Sequence, residues 1–200
     1  MKRAQPGFTL LELMVVLAIA GVLMAIGIPS MRDFMRNSRI TSAANDVMAA
    51  LHFTRSEAIK RRMPVTLCTS ASAVTDLNPT CAASPFLTGW ISFVDTNQSG
   101  QRDAGELVLL QHEPMNADIT ARSSVDPFQV TYLLNGFALN PNAARLVLCD
   151  DRGNTPSAGE LSSARGILVS VIGRPGVTRD MGEIDTLLAA IGVNVGGCEA

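Results

Sequence analysis

The chain has 200 residues, 47% of them apolar, and a formal charge of -2 from 16 Lys and Arg against 18 Asp and Glu. That length supports one domain with a core of its own, and the near-balanced charge excludes a protein that holds nucleic acid by bulk electrostatics, so any anion-binding role must come from a local patch. Four cysteines, Cys68, Cys81, Cys149 and Cys198, lie too far apart for a CxxC metal knuckle; in an exported chain they read as two disulfides with three possible connectivities, in a cytosolic one as buried thiols.

Residues 8–28 are apolar apart from Thr9 and Glu12, and they follow the short basic leader Met1-Lys2-Arg3-Ala4-Gln5-Pro6-Gly7. As a helix rising about 1.5 Å per residue, this run crosses a hydrocarbon core of roughly 30 Å. Lys2 and Arg3 hold the leader on the cytoplasmic side and place the rest of the chain outside. A cleaved secretory signal is the alternative, with Ala18-Ile19-Ala20 as its small-residue site. Glu12 argues against it, because a carboxylate in hydrocarbon costs about 2.5–3.5 kcal/mol and requires a partner.

Gly27 and Pro29 stand where the apolar run ends, and proline removes a helical hydrogen bond, so a kink or local melting is expected there. Beyond it Met31, Phe34, Met35, Ile40, Ala44, Val47, Met48, Leu51 and Ala58 recur at helical spacing, with Arg32, Arg36, Arg39, Arg55 and Lys60 between them. The spacing predicts an amphipathic continuation over 29–62 whose apolar face packs on a sheet of the same chain. Met63-Pro64 ends it, and Lys60-Arg61-Arg62 is a last turn favoured by the helix dipole.

The remainder reads as short strands at 65–69, 90–94, 106–111, 128–134, 145–149 and 166–172, bounded by Gly, Pro, Asn and Asp. A helix followed by consecutive strands is an α+β pattern with an antiparallel sheet. Residues 183–191 fit a helix and 193–197 an edge strand or tail, and neither is assigned.

The 95–106 segment places oxygen-bearing side chains at Asp95, Asn97, Ser99, Asp103 and Glu106, with Gly100 in the sixth place, which is the spacing of a calcium loop. Calcium loops of that kind join two helices, whereas the flanks here read as strands, so a hairpin turn is the competing reading. Catalysis has no carrier. His52 and His112 are the sole histidines, and no Ser/His/Asp set, G-x-S-x-G elbow, phosphate loop or HExxH occurs, so the chain is not read as an enzyme.

Gly7-Phe8-Thr9-Leu10-Leu11-Glu12, followed by Pro29, resembles the processing site and anchor of type IV pilin-like proteins. Gly89-Trp90-Ile91-Ser92-Phe93-Val94-Asp95 is similar to the GspH/FimT group of that family, and Leu148-Cys149-Asp150-Asp151-Arg152-Gly153, with the later Gly173-Arg174, resembles its pilus-type members. The resemblance implies the type IV pilin fold: a long N-terminal helix, transmembrane over 8–28 and amphipathic over 29–62, packed on an antiparallel head at 63–200. It implies cleavage between Gly7 and Phe8, removal of the leader 1–7 and methylation of Phe8 by the prepilin peptidase/methyltransferase. Glu12 would then pair with the new ammonium of a neighbouring subunit, turning two costly lone charges into one compensated pair, and Pro29 would mark the helix break.

The same resemblance pairs Cys68 with Cys81 across a loop, leaving Cys149 with Cys198. The implied partners are major and minor pilins through the N-terminal helix, the inner-membrane assembly platform and membrane lipid. The implied location is the inner membrane, single-pass with the head periplasmic, and then a surface pilus. The implied function is that of a minor pilin priming assembly or lying near the tip; the alternative is the H-type minor pseudopilin of a type II secretion system. Gly173-Arg174-Pro175-Gly176-Val177-Thr178-Arg179 loosely resembles the arginine-bearing loop of DNA-binding members, which implies a part in DNA uptake for Arg174 and Arg179. Pro175-Gly176 spreads the pair, and Asp180, Glu183 and Asp185 follow, so a plain surface turn is the other reading.

Overall fold

The computed structural model describes residues 9–83, 88–125, 127–140, 144–157 and 161–192. The first element is helix α1, Leu10–Arg61. Thr9 caps it: its hydroxyl accepts from the Glu12 amide at 3.2 Å, and its carbonyl from the Leu13 amide at 3.1 Å. A Thr three residues before a Glu at a helix start is the capping-box pattern.

The helix runs through Pro29 without a break, so the expected local melting does not occur. Proline withholds the amide that would have reached the Ala25 carbonyl and crowds that carbonyl with its ring, and the 52-residue helix continues past it. At the other end the Met63 amide closes on the Ala58 carbonyl at 3.3 Å with Arg62 in the left-handed region, φ 55°, a Schellman-type stop followed by Pro64.

The chain falls into two units, residues 1–38 and 39–200. The first is the opening half of α1, with its apolar side chains exposed along its length. The second is a head with its own core. Its strands are β1 (Val65–Thr69), β2 (Trp90–Val94), β3 (Val108–His112), β4 (Thr120–Ser123), β5 (Gln129–Tyr132), β6 (Arg145–Cys149), β7 (Arg165–Val169) and β8 (Pro175–Thr178), followed by helix α2 (Met181–Ile191).

The strands divide between two antiparallel four-stranded sheets, ordered β3-β2-β1-β5 and β4-β6-β7-β8. Ile40, Ala43, Ala44, Val47, Ala50, Leu51 and Ala58 line one stripe of α1, and they share a core with Val65, Leu67, Trp90, Val130 and Tyr132 of the first sheet and Leu146, Leu148, Ile167 and Val169 of the second. Three- and four-residue steps put that stripe on one side of the helix, which is why one helix serves both sheets.

Each sheet is covered on its other face as well. Behind the second sheet, Ile184, Leu187 and Leu188 of α2 pack on Val147, Cys149 and Ala164. Behind the first, Cys68, Ile91 and Phe93 meet Ala73 and Cys81 of the loop after β1. Burial on both faces explains why β1 and β2 are buried at every position and show no polar alternation.

Candidate functional site

Glu12 and Pro29, the residues expected to act in assembly, both belong to α1, Glu12 near its start and Pro29 in its interior. Glu12 occupies its first turn, where a carboxylate is favoured by the helix dipole. Its backbone is held by Thr9, and among the described residues no cation pairs with its side chain. The first half of the helix is unburied, and the helix is long and apolar enough there to cross a membrane. Gly7 and Phe8, the expected cleavage and methylation residues, lie outside the described residues.

Cys68 and Cys81 form a disulfide with an S–S distance of 2.05 Å, closing the loop between β1 and β2. Cys149 is buried in β6 and disulfide-bonded; Cys198, its expected partner, lies outside the described residues.

The acidic loop joins β2 to β3, so it is a hairpin connection. Asp95 is fully buried, and its carboxylate accepts from Thr66 Oγ1 at 2.7 Å and from the Ser99 and Gly100 amides at 3.0 Å each. Asn97 Nδ2 donates to Asp103 Oδ2 at 2.8 Å, Ser99 Oγ donates to the Gln101 carbonyl at 2.9 Å, and Glu106 accepts from the Thr96 and Asp103 amides at 3.0 Å each. All five candidate ligands are thus engaged in hydrogen bonds that shape the loop. Among the described residues, no group of three His, Cys, Asp or Glu converges on a cation position.

Arg174 and Arg179 stand on either side of β8. Arg174 is exposed in the turn, whereas the Arg179 guanidinium donates to the Ser162 carbonyl at 3.3 and 3.4 Å. Five steps of extended chain separate them by about 16 Å, so they do not form one tight cation pair. Arg179 instead neighbours Arg165, a buried residue with no signature in the sequence. Arg165 Nη1 donates to the carbonyls of Ser162, Ser163 and Ala164, and Nη2 to Thr41 Oγ1 of α1. Burial first, then the charges of Arg179 and Arg152, pull its pKa down to about 10, opposed by Asp150, and it remains a cation at neutral pH.

Of the two histidines, His52 is exposed on α1 and His112 stacks on buried Trp90, ring centroids 3.9 Å apart.

Residues 43–173 match the family described as type II transport protein GspH, and residues 2–28 match the prokaryotic N-terminal methylation motif. The chain belongs to the GspH family. Its members are type IV pilin-like minor pilins and pseudopilins, structural subunits, and the unburied apolar half of α1, which the methylation motif overlaps, is long and apolar enough to serve as a membrane anchor. Curated relatives include a fimbrial protein of Pseudomonas aeruginosa, 49% identical over 47 residues, which are 24% of this chain and 30% of that protein. The type IV major alpha-pilin of Moraxella bovis is 46% identical over 46 residues, 23% of this chain and 29% of that protein. The GspH-family chain thus spans under a third of the length of these relatives.

The crystal structure of the Pseudomonas aeruginosa type IV minor pilin FimU superposes with a TM-score of 0.50 at 21% identity, covering 72% of this chain and 91% of FimU. That likeness concerns the fold: a long N-terminal helix and antiparallel sheets, the type IV pilin arrangement.

Proposed function

We infer that the chain is a low-abundance subunit of a type IV pilus. It is anchored once in the inner membrane, N-terminus cytoplasmic and head periplasmic, and is then drawn into the filament, where it primes assembly or lies near the tip. The observation that carries this is α1 itself: an unburied apolar first half that opens on Glu12, continuous with a second half that forms the core of a pilin-type head.

Glu12 supplies the physical logic. Its carboxylate has no partner among the described residues, and a lone acid in lipid is costly. Cutting after Gly7 exposes an ammonium on Phe8, and a neighbouring subunit can bring that ammonium to Glu12. The compensated pair fixes subunit register, while the apolar helices supply cohesion. The names of the relatives, fimbrial protein and major alpha-pilin, support a pilus.

The family description, a type II transport protein, supports a second reading as minor pseudopilin of a type II secretion system. A deletion strain complemented with the native chain or with Glu12→Gln separates the two. Loss of surface pili and twitching with normal exoprotein secretion is the expected result; the reverse establishes the secretion role. Glu12→Gln is expected to lower incorporation into filaments at least tenfold, and equal incorporation would overturn the charge-pair account.

A further inference from the structure

We propose that the end of α1 and two turns of the head form an apolar docking surface for a different pilin-like subunit, an inference that rests on the filament reading above. The turn after β5 carries Leu134 and Phe137, the turn after β7 carries Val171 and Ile172, and α1 contributes Ile59. All five are between 47% and 66% exposed. Single exposed apolar residues are ordinary, but five on three abutting segments form a patch that water does not favour.

The patch is built, not incidental. Arg55 of α1 reaches both turns, donating through Nε to the Gly136 carbonyl at 3.0 Å and through Nη2 to the Ile172 carbonyl at 3.1 Å. Glycines let the segments touch. A Cβ on Gly136 would lie 2.7 Å from Ile59 Cδ1, and one on Gly173 would lie 1.9 Å from the Gly136 carbonyl oxygen. Both glycines also have positive φ, 78° and 73°. The clasp also occupies the guanidinium with two carbonyls, so covering the patch strips little from that charge.

Charge selects the occupant. The helix end beside Ile59 carries Lys60, Arg61 and Arg62, and Glu57, the carboxylate there, is already taken by Lys60 at 3.2 Å and Arg61 at 2.6 Å. Two copies meeting through a two-fold axis would set these basic rims against each other. A partner with an apolar patch bordered by carboxylates suits the surface. Lipid does not: Ile59 belongs to the head unit, 31 residues beyond Ile28, where the apolar run ends. In a filament the neighbour on the exported side is another subunit with a pilin-type head.

The test places a photo-cross-linking phenylalanine analogue at Phe137 of the full-length chain, in cells that assemble the filament, with a second probe at Leu17 reporting on helix packing. The Phe137 adduct is expected to contain, by mass spectrometry, a different subunit that carries a prepilin N-terminal segment. Val171→Asp should cut its yield about tenfold, and Lys60→Glu with Arg62→Glu several-fold, while the Leu17 adduct persists. Formation of the Cys68–Cys81 disulfide checks folding, and Ile172→Ser, which keeps its carbonyl for Arg55, replaces Val171→Asp if that variant fails to accumulate. A Leu17 adduct with none at Phe137, or with Phe137 linked to lipid, to a second copy of the chain or to a protein lacking a prepilin segment, overturns the docking surface alone. Adducts at neither position overturn the filament reading with it.

Discussion

Glu57 and Arg61 meet one turn apart near the end of α1, with Arg61 Nε 2.6 Å from Glu57 Oε2. The hydrogen bond from Arg61, helped by Lys60 and opposed by desolvation, lowers the Glu57 pKa below the ordinary carboxylate value. A depressed folded pKa means that the contribution is complete above the unfolded value of about 4.3 and is lost as pH falls through the folded value. Both basic partners reach solvent, so Glu57→Gln is expected to lower stability at pH 7 by about 1 kcal/mol or less. The difference should close under strongly acidic conditions. Thermal melts of both proteins across the acid range measure it, and a gap that widens with acid would contradict the assignment.

Tyr132 is a different case. Its hydroxyl is buried and, among the described residues, has no hydrogen-bond partner. Burial pushes its pKa well above the usual tyrosine value, with the nearby Arg55 charge acting in the opposite sense. An unsatisfied buried hydroxyl costs about 1–3 kcal/mol, so Tyr132→Phe should raise stability by roughly 1 kcal/mol. The native chain should also lose stability above about pH 10, where the unfolded tyrosine ionises and the folded one cannot, and the variant should lose less. Urea midpoints at pH 7 and pH 10.5 decide both points.

What the sequence revealed followed how locally each feature is encoded. β1, β2 and β6 lie where apolar and β-branched runs stand between turn residues, and their bounds agree with the sequence reading. β4 and β8 were not legible. Thr120–Ser123 is polar, Pro175–Thr178 begins with proline, and both are edge strands that exist because β6 and β7 offer free ladders. The stretch read as an arginine-bearing loop is consequently half strand. α2 carried a readable signal, Asp180 accepting from the Glu183 amide at 2.9 Å as N-cap, but Gly182 in its first turn weakens the pattern.

The site divides in the same way. Glu12, Pro29 and the Cys68–Cys81 pair follow from a motif or a loop, whereas Arg165 and the Arg55 clasp depend on groups more than eighty residues apart. No local spacing encodes such contacts. Asp95 was legible as a residue but not in its role, because its partner Thr66 belongs to another strand.

That partnership yields a prediction for the acidic loop. Asp95→Asn removes the charge that three donors share, and hydrogen bonds to charged groups contribute about 1.5–3 kcal/mol each. A loss of roughly 2–3 kcal/mol is expected. Calcium at millimolar concentration should leave the melting temperature of the native chain unchanged, since Asn97, Ser99, Asp103 and Glu106 already use their oxygens or amide within the loop. A calcium-dependent rise, abolished by Asp103→Asn, would show that the loop reopens around the ion.

Arg174 and Arg179 allow the DNA-uptake role to be tested with an internal control. A phosphate contact by an exposed arginine adds close to one unit to the slope of log affinity against log salt. If DNA is a ligand, Arg174→Ala should weaken binding of a short duplex to the full-length protein several-fold and reduce that slope by about one. Arg179 differs because its guanidinium is spent on the Ser162 carbonyl and lies beside the Arg165 cation. Arg179→Ala should therefore register first in the melting temperature, with a smaller change in the salt slope. Equal binding by both variants and the native chain, at two salt concentrations, would remove DNA from the list of partners, because exposed Arg174 is the member of the pair whose cation is available to a phosphate.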